Sequence, residues 1–201
     1  MQDSEKTING EVIKSPFEDK IFEKIDYTVN RLTKGSYEKC SFVNCRFSAT
    51  DVQGINFTDC TFKSCDLSTA KINKSAFKGV KFRDSKLLGV HFENINDFFF
   101  SVDFENCILN MSSFYKLTMK KTQFKKCSLQ EVDFAECNLS GAMFSDCDFT
   151  RAKFDRTVLE KADLSTSFNY SIDPERNKIK KAKFSLYGIA GLLDKYEIEI
   201  E

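Results

Sequence analysis

Every fifth residue from Phe17 onward is large and apolar: Phe17, Phe22, Tyr27, Leu32, Tyr37, Phe42, Phe47, Val52, Phe57, Phe62, Leu67, Ile72, Phe77, Phe82, Leu87 and Phe92. Asp97 breaks the series. Moving the frame by two residues restores it at Phe99, Phe104, Leu109, Phe114, Met119 and Phe124, and it then runs on to Leu164. A strict period of five matches neither the turn of an α-helix nor the alternation of a strand. It requires a superstructure in which each five-residue unit forms one side of a repeating coil.

The position two residues before each large one is mostly small: Cys40, Cys45, Thr50, Cys60, Cys65, Ala70, Ser75 and Ser85, and later Cys107, Ser112, Cys127, Cys137, Ala142, Cys147 and Ala162. All eight cysteines occupy this one phase. The other three positions of each unit are largely polar. Each unit therefore turns one large and one small side chain inward and three outward. A cysteine count this high would suggest a disulfide framework in a short secreted chain. Here the repeat accounts for the thiols as small buried hydrophobes, and no CxxC pair exists to suggest a metal or redox centre.

The pattern resembles the pentapeptide-repeat family, whose unit is a small residue, a polar one, a central Leu or Phe and two polar residues. Cys137-Asn138-Leu139-Ser140-Gly141 and Ala162-Asp163-Leu164-Ser165-Thr166 match that unit directly. The resemblance implies an all-β, right-handed quadrilateral β-helix with four units per coil, so that residues twenty apart stack. The sequence agrees. Phe42, Phe62 and Phe82, followed across the slip by Phe104, Phe124, Phe144 and Leu164, would form one ladder. Residues 12–184 are assigned to the β-helix, with a bulge near 93–98 and a loop near 169–178. Residues 1–11 are a tail or cap.

Past Phe184 the code changes. Leu186, Ile189, Leu192 and Leu193 have helical spacing, whereas Tyr196, Ile198 and Ile200 alternate with acids as in a strand. Residues 185–201 are thus expected to form a helix and a short strand that close the stack. This tail resembles the segment through which quinolone-resistance proteins of the Qnr type pair two chains. That resemblance implies a homodimer, with Leu186, Ile189, Leu192, Leu193, Tyr196, Ile198 and Ile200 in the interface. A monomer whose tail only caps the last coil is the alternative.

Phe62-Lys63-Ser64-Cys65-Asp66-Leu67-Ser68 and Phe42-Val43-Asn44-Cys45-Arg46-Phe47-Ser48 resemble segments of the same proteins. The implied function is a DNA mimic that binds a type II topoisomerase, DNA gyrase or topoisomerase IV, and modulates it or protects it from quinolones. On that view Asn96, Asp97, Phe98 and Phe100 at the slip make contact, with Phe99 turned inward. The acidic residues Glu131, Asp133, Glu136, Asp146 and Asp148 would supply the mimicry. Two departures are visible: only two residues are added at the slip, and the chain is neutral, with 30 basic and 30 acidic residues.

A scaffold that binds an unrelated protein through one flat face is the second reading. Direct nucleic-acid binding through Lys120, Lys121, Lys125 and Lys126 ranks third, because the overall charge supplies no attracting field. An enzyme ranks last. There is no phosphate-binding glycine loop and no nucleophile motif, and the lone His91 precedes an inward Phe92 and so faces solvent. No cofactor, metal or small-molecule substrate is expected. No apolar run approaches the roughly 18 residues of a membrane span. Met1–Lys6 lacks the apolar core of a signal peptide, so the expected location is the cytoplasm.

Overall fold

The computed structural model describes residues 6–8, 11–13 and 17–199. Lys6–Ile8 and Glu11–Ile13 pair antiparallel as a separate two-stranded sheet. From Phe17 the chain winds into a parallel β-solenoid with four faces.

The first face has Tyr37, Phe57, Phe77, Met119, Leu139 and Leu159 at its centres. Its N-terminal half is a four-stranded parallel sheet in which Tyr37 pairs with Phe57 and Phe57 with Phe77. The second face is a nine-stranded parallel sheet. Its register is Phe22–Phe42–Phe62–Phe82–Phe104–Phe124–Phe144, with Leu164 and Phe184 paired beyond. The third face (Phe47, Leu67, Leu109, Leu129, Phe149) and the fourth (Val52, Ile72, Phe92, Phe114, Phe134, Phe154) are joined coil to coil by single bridges.

Each corner is made by the residue two after the centre, which adopts a left-handed backbone. Asn44, Ser64, Asp84, Asn106 and Lys126 have φ between 51 and 54°. That conformation is unfavourable for L-residues. The coil offsets the cost by giving the same residue's N–H a carbonyl on the next coil: Asn44 to Lys63, Ser64 to Arg83 and Asn106 to Lys125, at 2.8–2.9 Å.

Inside, like residues stack. Along the second face the rings of Phe42, Phe62, Phe82, Phe104 and Phe124 lie 4.7–5.3 Å apart and within 20° of parallel. The fourth-face rings Phe114 and Phe134 meet this ladder edge-on, Phe124 and Phe134 at 89°. Offset stacking along the axis and edge contacts across it are both favourable aromatic geometries. The small position has a second role beyond fitting the space. Cys65 Sγ donates to the carbonyl of Phe42, Ser75 Oγ to that of Val52 and Thr157 Oγ1 to that of Phe134, always twenty-three residues back. A small side chain with a donor satisfies a buried carbonyl that Ala would leave to fewer partners.

Three features differ from the sequence reading. Ala76 still pairs with Asn96 but Phe82 pairs with Phe104, so the two extra residues lie between Asn96 and Val102. Phe99 does not turn inward. Its φ of 68° swings it out, and it is 65% exposed. A turn closed by Phe100 N–H to Asp97 C=O brings Phe100 against the core instead, 6.2 Å from Phe92.

The C-terminal helix is a 3₁₀ helix, Leu186–Leu192, followed by a second turn, Asp194–Tyr196. Gly188 and Gly191, three residues apart and therefore on one side of a three-residue turn, lie on Tyr170. A Cβ at either position would collide with the Tyr170 hydroxyl or carbonyl. No strand follows over residues 197–199, where Glu197 is left-handed and no ladder partner lies among the described residues. Ile200 lies outside the described residues.

The stretch 169–178 leaves the coil length intact. Val158 pairs with Lys178 and Asp163 with Lys183. Ser167, Ile172 and Asn177 continue the small inward position through it.

Candidate partner-binding surface

The acidic residues singled out from the sequence do not share a face. Asp133 and Glu136 lie on the fourth face, with Glu131 at its edge, whereas Asp146 and Asp148 belong to the second and third. Their partners matter more. Arg151 lies on Glu131, Lys153 on Asp133 at 3.3 Å and Arg156 on Glu136 at 2.8 Å, each from the coil above. Asp148 is a structural hub. Burial pushes its carboxyl up, but donors from Gln130, Thr150 and Asn169 at 2.7–2.9 Å outweigh this and hold it below the usual carboxylate range. Of Glu131, Asp133, Glu136, Asp146 and Asp148, Asp146 alone is both exposed and free of an ion pair among the described residues.

The pairing follows from the fold. Parallel in-register coils place residue i directly on residue i+20, and like charges so placed repel. Along several columns the sequence avoids this by alternating sign: Asp26–Arg46–Asp66–Lys86 on the third face, and Asp51–Lys71 and Asp133–Lys153 on the fourth; Glu18–Glu38 and Lys63–Arg83 are like-charged exceptions. Lys125 on Glu105 (2.8 Å) and Lys183 on Asp163 (3.0 Å) do the same on the second. Opposite charges one coil apart cancel well within a Debye length of about 8 Å.

The slip presents an aromatic knob. Phe98 is 73% exposed, its ring lies 4.2 Å from that of Phe99, and Lys78 Nζ sits 5.4 Å over the Phe99 ring. Asn96 accepts from the Phe98 N–H, and Asp97 is exposed. Beside the knob, a shallow groove of about 280 Å³ runs between Phe100, Ser101 and Lys120–Lys121.

At the other end the tail is docked on its own chain. Besides the glycine contact, Ile172 N–H donates to the Gly191 carbonyl, and Lys195 pairs with Asp173 and Glu175 at 2.8 and 2.7 Å. Leu192 packs against the core and Leu193 is half-buried. Leu186, Tyr187, Ile189, Tyr196 and Ile198 remain exposed.

All eight cysteines are free and buried, and burial pushes the Cys60, Cys65 and Cys137 thiols up to about 12. His91 faces solvent and touches Glu93 at 2.9 Å. Among the described residues no three metal-ligating side chains group together, and no helix is long and apolar enough to cross a membrane.

The sequence matches the model of the pentapeptide repeat region over residues 15–96 and 98–171, interrupted at the slip. The chain belongs to the pentapeptide-repeat family. Its fold is the right-handed quadrilateral β-helix of that family. A trypsin-treated variant of QnrB1, a plasmid-mediated fluoroquinolone resistance protein, superposes with a TM-score of 0.68 at 21% identity, covering 93% of this chain and 92% of that one. Full-length QnrB1 superposes at 0.55 and 22% identity, covering 92% and 100%. HetL, a pentapeptide-repeat protein involved in heterocyst differentiation regulation in the cyanobacterium Nostoc, reaches 0.53 at 13% identity, covering 85% of each. No curated protein matches the sequence.

Proposed function

We propose that this pentapeptide-repeat protein is a non-enzymatic, Qnr-like binder of a type II topoisomerase, DNA gyrase or topoisomerase IV, which it modulates or shields from quinolones. The observation that carries this is the likeness to QnrB1 along nearly the whole length of both chains. A rod of this kind enters the enzyme's DNA channel in place of a duplex. The neutralised faces limit how far charge contributes. Contact then depends on shape, on Asn96, Asp97 and Phe98 at the slip and on the unpaired Asp146, more than on Glu131, Asp133 and Glu136. The protein acts as a homodimer in the cytoplasm, two rods joined through the apolar outer side of the tail, where Leu186, Ile189, Tyr196 and Ile198 are exposed.

The test is supercoiling by purified gyrase with increasing protein, with and without a fluoroquinolone. Inhibition, or rescue from the drug, at micromolar protein is expected. No effect from folded dimer overturns the proposal. The second reading, a scaffold for an unrelated protein, draws on the sign alternation, which departs from an evenly acidic mimic. Capture of a partner other than a topoisomerase would favour it.

A further inference from the structure

The first face departs furthest from this alternation. Its C-terminal half carries Lys120, Lys121, Lys161, Lys178, Lys180 and Lys181, all exposed, and none makes an ion pair or side-chain hydrogen bond among the described residues. Glu160, half-buried, is the single acid among them. The backbone ladder fixes their order: Lys121 N–H donates to the Ser140 carbonyl, Gly141 N–H to Glu160 and Lys161 N–H to Lys180. Lys121, Gly141, Lys161 and Lys181 therefore form one column along a corner, each step one coil rise of about 4.8 Å. Gly141 puts no side chain between Lys121 and Lys161. Lys63 and Arg83 stack in register on the second face, but there Glu105 follows Arg83 on the next coil; the Lys121–Lys181 column has no acid in line with it among the described residues.

The column begins one coil above the slip. In register Phe100 and Ser101 lie under Lys120 and Lys121, Phe98 and Phe99 directly precede them in the chain, and Lys78 sits over the Phe99 ring. A groove lined by Phe100, Ser101, Asp103, Lys120 and Lys121 joins the slip to the lower end of the column. Phe99 holds a left-handed φ that is costly for a bulky residue, and the result is that two rings face solvent together. Unopposed lysines near exposed aromatic rings are the ingredients of single-strand nucleic-acid binding: cations follow the phosphates, and rings stack on bases.

We infer that the C-terminal half of the first face, together with Phe98 and Phe99, binds single-stranded nucleic acid. A flexible strand adjusts its phosphate spacing to a rigid row. A duplex encloses its base faces and gives the knob nothing to stack on. The lysine column recognises charge alone, so binding is indifferent to base sequence. This site shares Phe98 with the proposed topoisomerase contact, whereas its lysines take no part in that contact, so K120E/K121E and K180E/K181E separate the two.

The experiment is fluorescence anisotropy of the full chain with a labelled oligothymidylate strand, across a range of salt. Heparin, poly-glutamate and a duplex serve as comparison ligands. The strand is expected to bind, with log affinity falling linearly in log salt by about 0.7 per phosphate contacted. K120E/K121E and K180E/K181E should each weaken binding tenfold or more and flatten that slope. F98A/F99A should weaken strand binding about tenfold while leaving heparin binding unchanged, since heparin has no bases. Both rings are solvent-exposed, so this variant should keep the parent's melting transition. Absence of strand binding at low salt overturns the proposal. So does an F98A/F99A variant that binds the strand as the parent does. Poly-glutamate or duplex bound as tightly as the strand would overturn it in favour of an acidic protein surface or a duplex.

Discussion

Arg151 lies on Glu131 from the coil above, and the contact is one of a set in which the coil of residues 131–136 is neutralised by the coil of residues 151–156. The relationship is a consequence of register. A β-helix with a twenty-residue coil must place each surface side chain on its counterpart, and the sign must alternate if neighbouring coils are not to repel.

Reversing the upper coil alone should reveal this. R151E/K153E/R156E sets like charges on Glu131, Asp133 and Glu136. Exposed pairs contribute no more than about 1 kcal/mol each, so the expected outcome is a lowered melting temperature with the fold retained. Adding E131K/D133K/E136K should restore most of the loss. Thermal unfolding of the three proteins checks it, and the recovery should shrink in high salt.

The aromatic ladder should bear far more of the stability. Phe124 is fully buried between Phe104 and Phe144, and F124A should cost about 3–5 kcal/mol. Because a solenoid holds together through neighbouring coils, the loss should also uncouple its two ends, giving a broader chemical unfolding transition. F98A, at an exposed ring, should stay within about 0.5 kcal/mol of the parent.

The repeat and its inward positions were legible in the sequence because a strict period leaves few alternatives, and the twenty-residue stacking of Phe42, Phe62 and Phe82 follows from that period alone. The turn at Asp97–Phe100 was not. In a run of three phenylalanines the period cannot say which ring faces in; the local backbone decides, and it chose Phe100 over Phe99. In the tail the expected helix forms over Leu186–Leu192, as a 3₁₀ helix because the glycines at 188 and 191 are placed for contact with Tyr170, far earlier in the chain, and the expected strand does not form over residues 197–199. The alternation of charge was present in the numbering at intervals of twenty, and only the coil length makes it visible. The same holds for the lysine column, whose members are scattered from 120 to 181.

The thiols provide a test against pH. Burial raises Cys60, Cys65 and Cys137 to about 12 in the folded state, above the ordinary value near 9. A group raised on folding contributes its stability below the unfolded value and loses it as pH climbs toward the folded one. Urea midpoints should therefore hold to about pH 8 and fall progressively from about 9 to 12. At neutral pH none of the eight thiols should react with a disulfide reagent until the chain unfolds. C137S should be tolerated, since Ser75 and Ser112 fill equivalent positions and donate to equivalent carbonyls.

At the C-terminal end, G191A would force the tail off Tyr170. The expected result is early proteolysis within residues 186–199 and a lower melting temperature. Tyr187→Ser, at a side chain 98% exposed, should leave the monomer's folding intact. I189K/I198K should convert the proposed homodimer to a monomer by light scattering, and an unchanged mass would remove the tail from the interface.

The central claim is occupation of a topoisomerase in place of DNA. Its most direct test is binding of the folded protein to immobilised gyrase, with duplex DNA added as competitor. The account expects micromolar or tighter association that duplex DNA displaces. It also expects D97K/F98A to weaken association more than E131K/D133K/E136K does in the R151E/K153E/R156E background. Absence of binding, or binding that duplex DNA leaves untouched, would contradict it.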